Sequence, residues 1–189
     1  MGIIQITVNK MAEVLLISNK DLTKFTAVNG NVDVDKFIQY IKIAQDIHIQ
    51  TILGTDLLNK FKTDIAASTL AEPYTSLLNN YIKAMLIHWA MVEWLPFSAY
   101  TIANKGVYKH TSENADTVEK NEVDFLIEKQ RQIAQHYTQR FVDYMSFNNS
   151  SFPEYNSNSN GDMYPRTDNN FNGRSEEHTS ELQSRQYLV

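Results

Sequence analysis

Cysteine is absent from this chain of 189 residues. Its absence excludes disulfide bonds, thiolate metal sites and cysteine nucleophiles. The chain also lacks an apolar run of the roughly 18 residues that a membrane-spanning helix needs. No charged segment followed by an apolar run and a small-residue cleavage site occurs near the N-terminus. The sequence therefore predicts a soluble protein that is not exported.

Motifs for phosphate, metal or nucleophile chemistry are missing too. Gly106 and Gly161 stand alone, and neither opens a helix in the pattern of a phosphate-binding loop. His48, His88 and His136 lie on predicted helices without His-Glu-x-x-His or di-metal spacing. We therefore expect no catalytic residue, no cofactor and no metal site. The pattern indicates a structural protein rather than an enzyme.

Acidic residues outnumber basic residues, 22 to 17, which gives a formal net charge of -5. Such a chain gains little from counterion release on a phosphate backbone, so sequence-specific binding to nucleic acid is not expected. Four carboxylates lie on the solvent side of the last predicted helix, among basic residues: Glu119, Glu122, Asp124 and Glu128. A solvated face with weak ion pairs explains them better than a metal site.

A short helix at residues 22–25, after a polar turn, and two longer helices are predicted before residue 68. Apolar residues recur at helical spacing over residues 34–48, Asp33 can cap this helix, and Gly54 offers a stop. Thr55 or Asp56 can then cap a second, shorter helix.

The clearest helical pattern follows Pro73. Apolar residues keep three-and-four spacing over residues 74–89, and they occupy nearly every side of the helix over residues 84–95. This pattern predicts a central helix that is buried on most sides. Pro96 should end or kink it, because proline has no amide proton to donate. Residues 97–103 are then expected to continue as a second helical segment.

Residues 105–111 contain Gly106 and an alternation of apolar and polar side chains. This pattern predicts a protruding loop or a short ribbon of strands. We take four of its residues as candidate interface residues: Lys105, Val107, Tyr108 and His110.

A long amphipathic helix is predicted next. Asp116 and Glu119 have the offset of a capping box ahead of it. Its expected inner face consists of Val123, Leu126, Ile127, Ile133, Ala134, Tyr137, Phe141, Tyr144 and Met145.

After Phe147 the sequence changes to Asn, Ser, Gly and Pro with scattered aromatic residues. Such a segment is too polar to form a core of its own. We therefore expect residues 148–173 to form an extended arm that the fold does not need and that docks onto a neighbouring subunit. A plain disordered tail is the alternative. Four aromatic side chains are candidate anchors for docking: Phe152, Tyr155, Tyr164 and Phe171.

The last sixteen residues, 174–189, do not continue the Asn-rich pattern that precedes them. Residues 174–184 read RSEEHTSELQS, which back-translates in one frame to a sequence resembling a common adapter of short-read sequencing libraries. Residues 174–189 are therefore interpreted as adapter read-through and not as native protein. Residues 1–13 are interpreted as an N-terminal extension, and Met11 is a possible natural start.

Together these patterns predict an all-α fold. Residues 14–147 should form one bundle of about four main helices, from which the loop or short ribbon and the extended C-terminal arm project.

Three stretches of the chain carry an extended resemblance to a known group of proteins. They are NGNVDVDKFIQYIKIAQDIHIQTILGTDL, LLNNYIKAMLIHWAMVEWLPFSAYTIANKGVYKHTSENADTVEKNEVDFL and FPEYNSNSNGDMYPRTDNNFNG. The chain resembles a small head-to-tail connector, or ring, protein of crAss-like phages that infect gut Bacteroidales. The similarity covers roughly residues 15–173 and includes helices, loop and arm.

This resemblance implies a structural subunit of the virion, assembled in the cytoplasm of the bacterial host. Its partners would be further copies of itself in a twelvefold ring, the portal protein above, and neighbouring tail or ring proteins. No membrane partner is implied, and genome DNA would pass through the ring. Another ring or tail protein of the same virion is the first alternative, and a helical regulatory module is the second.

Overall fold

A computed structural model describes residues 13–26, 28, 35–98, 100–103, 106–109 and 120–167. Several features predicted above lie outside these residues: the cap at Asp33, the candidate interface residues Lys105, His110 and Phe171, the capping box at Asp116 and Glu119, most of the N-terminal extension, and residues 174–189.

The helices run through the chain in the predicted order. Their bounds are α1 Asn19–Phe25, α2 Asp35–Ala44, α3 Gln50–Leu53, α4 Thr55–Ala67, α5 Tyr74–Leu77, α6 Lys83–Trp94 and α7 Lys120–Asn148. Two π-helical turns, Gln45–Ile49 and Leu78–Ile82, join α2 to α3 and α5 to α6, so that each pair forms one continuous rod. The predicted all-α bundle is confirmed.

α1 is a short helix with a complete capping box. The Ser18 hydroxyl accepts a hydrogen bond from the Asp21 amide, and the Asp21 carboxylate accepts one from the Ser18 amide at 2.8 Å. This reciprocal pair satisfies amide groups that a helix start otherwise leaves open. It also fixes the position of the Asp21 side chain.

The π-helical turn after α2 places Gln45 inside the core. Its side chain donates to the carbonyl of Val14 at 3.0 Å and accepts from the amide of Leu16 at 2.9 Å. A buried amide side chain is tolerated only when its polar atoms are satisfied. Gln45 therefore holds the extended segment before α1 against the bundle.

α6 is the central helix of the bundle. It packs between α2 and α7, and apolar residues around it are buried, as the sequence predicted. Trp89 is almost fully buried and donates from its indole nitrogen to the Thr138 hydroxyl on α7 at 3.1 Å. The Thr138 hydroxyl in turn donates a hydrogen bond to the carbonyl of Ala134 at 2.9 Å. This link fixes α6 and α7 to each other in one register.

The segment after α6 differs from its prediction. α6 ends at Trp94, and a 3-10 turn, Leu95–Phe97, follows it at the predicted proline break. Residues 97–103 do not continue as a helix: β1, Tyr100–Ala103, pairs antiparallel with β2, Gly106–Lys109. β-Branched residues on both strands favour the extended conformation there. The predicted ribbon is therefore a two-stranded hairpin that begins before residue 105.

The inner face of α7 was predicted correctly only in part. Ala134, Phe141 and Met145 are buried, whereas Leu126 and Ile133 are exposed. Ile127 in the same part of the helix still packs against the core. Only one edge of the first half of α7 packs against the core, so the predicted inner face was too wide there.

Replacement of Trp89 by alanine should destabilise the fold by about 3 to 5 kcal/mol, the usual loss for a large buried aromatic residue. The change leaves a cavity between α6 and α7 and removes the indole nitrogen that donates to the Thr138 hydroxyl. Chemical denaturation followed by circular dichroism measures the free energy of unfolding. Phe147→Ala is the control, because this phenylalanine is 87% exposed and its loss should change stability by less than about 0.5 kcal/mol. Similar losses for the two variants would contradict the central position of Trp89.

Candidate interaction surfaces

The histidines on the described helices have structural partners. The His48 ring stacks on Trp89 with centroids 3.9 Å apart and binds the Glu93 carboxylate at 2.8 Å. His88 bonds to the Gln130 side chain at 2.9 Å. His136 packs edge-on against Tyr137. No group of three or more side chains in the described residues has the geometry of a metal site.

The first part of the predicted arm turns back onto the bundle. We call residues 152–166 the strap. Phe152 is fully buried and packs edge-on against Tyr74, with ring centroids 5.3 Å apart. Tyr155 is also buried and lies against Phe141 of α7. Between them, Glu154 accepts a hydrogen bond from the Tyr74 hydroxyl at 2.5 Å.

These positions correct the expectation that Phe152 and Tyr155 would dock onto a neighbouring chain. Both side chains belong to the subunit's own core. Burying large aromatic side chains stabilises a fold by several kcal/mol, so the fold is not independent of this part of the arm. Tyr164, by contrast, is 63% exposed and is accessible to a partner.

The far end of the strap closes the corner between α3 and α4. The amide of Arg166 donates to the carbonyl of Thr51 at 2.9 Å, and the carbonyl of Met163 accepts from the amide of Thr55 at 3.0 Å. Helix ends leave such carbonyls and amides without partners. Gly54, the residue at the corner, provides no side-chain cap for α4. The strap backbone therefore caps two helix ends at once.

Gly54 itself is required by this corner. Its φ of 77° with ψ of 160° lies in a region that is essentially restricted to glycine. A Cβ atom at this position would lie 2.7 Å from Cδ of Pro165 in the strap. The glycine therefore allows both the sharp turn between the helices and the close approach of the strap.

Side chains of α4 add a second set of bonds to the strap. The Asp56 carboxylate accepts from the Ser159 amide at 2.7 Å, from the Ser157 hydroxyl at 2.8 Å and from the Asn160 side chain at 3.4 Å. The Thr55 hydroxyl donates to Asp162 at 2.8 Å. Thr55 and Asp56 were predicted as helix caps. Gly54 is the N-cap instead, and the two side chains bind the strap.

The environment of Asp56 changes its acidity. Hydrogen bonds from the Ser159 amide and the Ser157 hydroxyl stabilise the carboxylate and hold the pKa of Asp56 below its ordinary value of 3.8.

An exposed apolar stripe runs along the outer side of α2. Ile43 and Ile47 are exposed and one turn apart, and Tyr40 lies one turn before Ile43. At one end, Phe97 stacks on Tyr40 with ring centroids 5.7 Å apart. At the other end, the Thr51 hydroxyl follows Ile47 by one turn and lies 4.0 Å from the sulfur of Met163. We call Tyr40, Ile43, Ile47, Phe97 and Met163 the apolar stripe.

The stripe connects two elements that the sequence had indicated as interface candidates. Phe97 comes just before the hairpin, which holds Val107 and Tyr108 on β2. Met163 comes just before Tyr164 in the strap. The isoleucines between them were missed, because a helix with apolar residues on two sides was interpreted as having a single inner face.

A cleft of about 480 Å³ lies on another side of the bundle, between α1, α6 and α7. Three cationic side chains line it, one from each helix: Lys24, Lys83 and Arg140. Asp21, His88 and Tyr137 also contribute to its walls. We call it the basic cleft. Sequence reasoning missed it, because its charges lie far apart in the chain.

A comparison with protein families shows which family this chain belongs to. A family model matches residues 49–165 and is described as a family of unknown function, DUF6712. The chain belongs to this family. The match runs from the start of α3 to Pro165, so nearly all of the strap is part of the unit that family members share. No curated protein and no solved structure matches the chain. No helix in the described residues is long and apolar enough to cross a membrane.

Replacement of Asp56 by asparagine should lower the melting temperature at neutral pH, because an uncharged amide oxygen accepts the bonds from the strap more weakly than a carboxylate does, and the amide nitrogen cannot accept at all. The folded pKa of Asp56 is lowered, so its contribution is present above the ordinary value of 3.8 and is lost as the pH falls below it. The difference between wild type and variant should therefore shrink at acidic pH.

Thermal unfolding across a pH series measures this effect. Asp143→Asn is the control, since Asp143 is exposed on α7 and its carboxylate accepts from Gln139 of the same helix; its effect should be small at every pH. Equal melting temperatures for wild type and the Asp56 variant at neutral pH would show that the strap does not depend on this carboxylate.

Proposed function

We propose that this protein is a structural subunit of a phage virion and forms the head-to-tail connector ring below the portal. The extended sequence resemblance to connector proteins of crAss-like phages suggests this role. The observation in the fold that supports it best is the apolar stripe. Solvated apolar side chains in a continuous row indicate a surface that another protein covers.

The shape of the stripe suits a lateral contact between subunits. It follows one side of α2 and has aromatic or sulfur-containing side chains at both ends, the types that are enriched in protein interfaces. In the sequence, the hairpin follows Phe97 and the exposed Tyr164 follows Met163, the residues at its two ends. In a ring, each subunit presents two different surfaces to its two neighbours, and the stripe would be one of them.

The strap makes this surface rigid. Met163 belongs to the stripe, and its backbone amide and carbonyl are both bonded to Thr55 of the bundle. A preformed surface loses less conformational entropy on assembly than a mobile arm does. The strap would thus contribute to assembly by shaping one subunit rather than by reaching into the next.

The purified protein should assemble into closed rings, alone or on the portal protein of its source phage. Mass photometry gives the number of subunits, and negative-stain electron microscopy shows closure. Ile47→Glu should abolish assembly while circular dichroism and melting temperature stay close to wild type, because Ile47 is 54% exposed and a carboxylate in an apolar interface is costly.

Phe147→Glu is the matched control, since it places the same charge at an exposed phenylalanine outside the stripe and should leave assembly intact. A wild-type chain that remains monomeric even with the portal protein would contradict the connector role. Rings that form equally well with Ile47→Glu would show that the stripe is not the lateral interface.

A further inference from the structure

The basic cleft is an unusual feature of a chain whose net charge is -5. Lys24, Lys83 and Arg140 all line it, and none of the three forms an ion pair with another described residue. Like charges that share one cleft repel each other, and the cost rises where water is partly excluded. An anionic partner would remove this repulsion.

Among the described residues, Asp21 is the only carboxylate in the wall of the cleft, and it does not supply that partner. Asp21 is held by the amide and the hydroxyl of Ser18, both at 2.8 Å. Although burial raises the pKa of Asp21, these hydrogen bonds and the charges of Lys83 and Lys24 lower it overall. Asp21 therefore stays charged, but one carboxylate offsets only part of three positive charges.

The same chain carries a segment with complementary chemistry. Residues 122–128, EVDFLIE, combine three carboxylates with two exposed apolar side chains, Phe125 at 61% and Leu126 at 46% exposure. One of the carboxylates, Glu128, also forms an exposed ion pair with Arg131 at 3.4 Å, which is weak in solvent. The cleft offers the matching features, because exposed Phe25 and buried Ile87 lie beside its cations. We call residues 122–128 the acidic stretch.

The acidic stretch cannot reach the cleft of its own chain. Both are built on α7, where Tyr137 and Arg140 line the cleft and Phe125 lies 12 to 15 residues before them. At a rise of about 1.5 Å per residue, one straight helix holds them roughly 20 Å apart. Any contact between them must therefore join two copies.

We propose that the basic cleft of one copy binds the acidic stretch of a second copy of this chain. The acidic carboxylates lie against Lys83 and Arg140, and Phe125 packs against the apolar wall beside Phe25. The contact joins two different surfaces, so each copy can bind one neighbour through its cleft and another through its stretch. This inference rests on the proposed assembly role and adds a second, charge-based contact to it.

Charge reversal tests the contact directly. A cleft variant carries Lys83→Glu and Arg140→Glu, and a stretch variant carries Asp124→Lys and Glu128→Lys. Each variant alone should lose the contact between identical copies. Mixed in equal amounts, they should assemble again with the two variants alternating, because the intact cleft matches the intact stretch and the reversed cleft matches the reversed stretch. Analytical ultracentrifugation at low salt measures the species, and circular dichroism confirms folding.

Two further chains serve as controls. A chain with all four reversals has exchanged the signs of both surfaces and should assemble again. A chain with Lys83→Arg and Arg140→Lys keeps every charge and should behave as wild type does. A mixture of cleft and stretch variants that stays monomeric would overturn the proposal, as would a cleft variant that assembles as well as wild type.

These experiments distinguish a failure of the cleft contact from a failure of the connector proposal. Rings that survive both sets of charge reversals would refute the contact and leave the connector role standing. Open chains of wild-type subunits that are lost on charge reversal would support the contact and refute a closed ring.

Discussion

The capped corner between α3 and α4 is the constraint on which much of the structure depends. Two helix ends meet at Gly54, whose positive φ allows the turn and whose missing side chain leaves the first amides of α4 without a local cap. The strap supplies the partners from more than a hundred residues away, through the carbonyl of Met163 and the amide of Arg166. Buried backbone groups without partners are costly, so the strap and the corner are stable only together.

The position of the strap links the core to the outer surface. Phe152 and Tyr155 anchor its beginning in the core, and Met163 at its far end completes the apolar stripe. A subunit whose strap is detached from the bundle would therefore lose both a part of its core and a part of its candidate interface. The family match ends at residue 165, which agrees with a unit that closes where the strap reaches the corner.

The helices could be predicted from the sequence because the information for them is local. Apolar spacing identified the central helix, and Pro96 marked its end.

The strap could not be predicted in this way. Its polar residues bind helix ends that are distant in the chain, and composition alone does not distinguish such bonds from solvation. The aromatic pair Phe152 and Tyr155 was the available signal, and it was interpreted as an anchor for another subunit because no local core surrounds it in sequence.

Hydrogen exchange of the Thr55 amide, followed by nuclear magnetic resonance, tests the capped corner most directly, because this amide donates to Met163 in the strap. If the strap is part of the fold, Thr55 should be protected to about the same free energy as the amides in the middle of α6, since both would open only when the bundle unfolds. Exchange at the rate of an exposed loop, while α6 stays protected, would show that the strap leaves the corner in solution and would contradict this account.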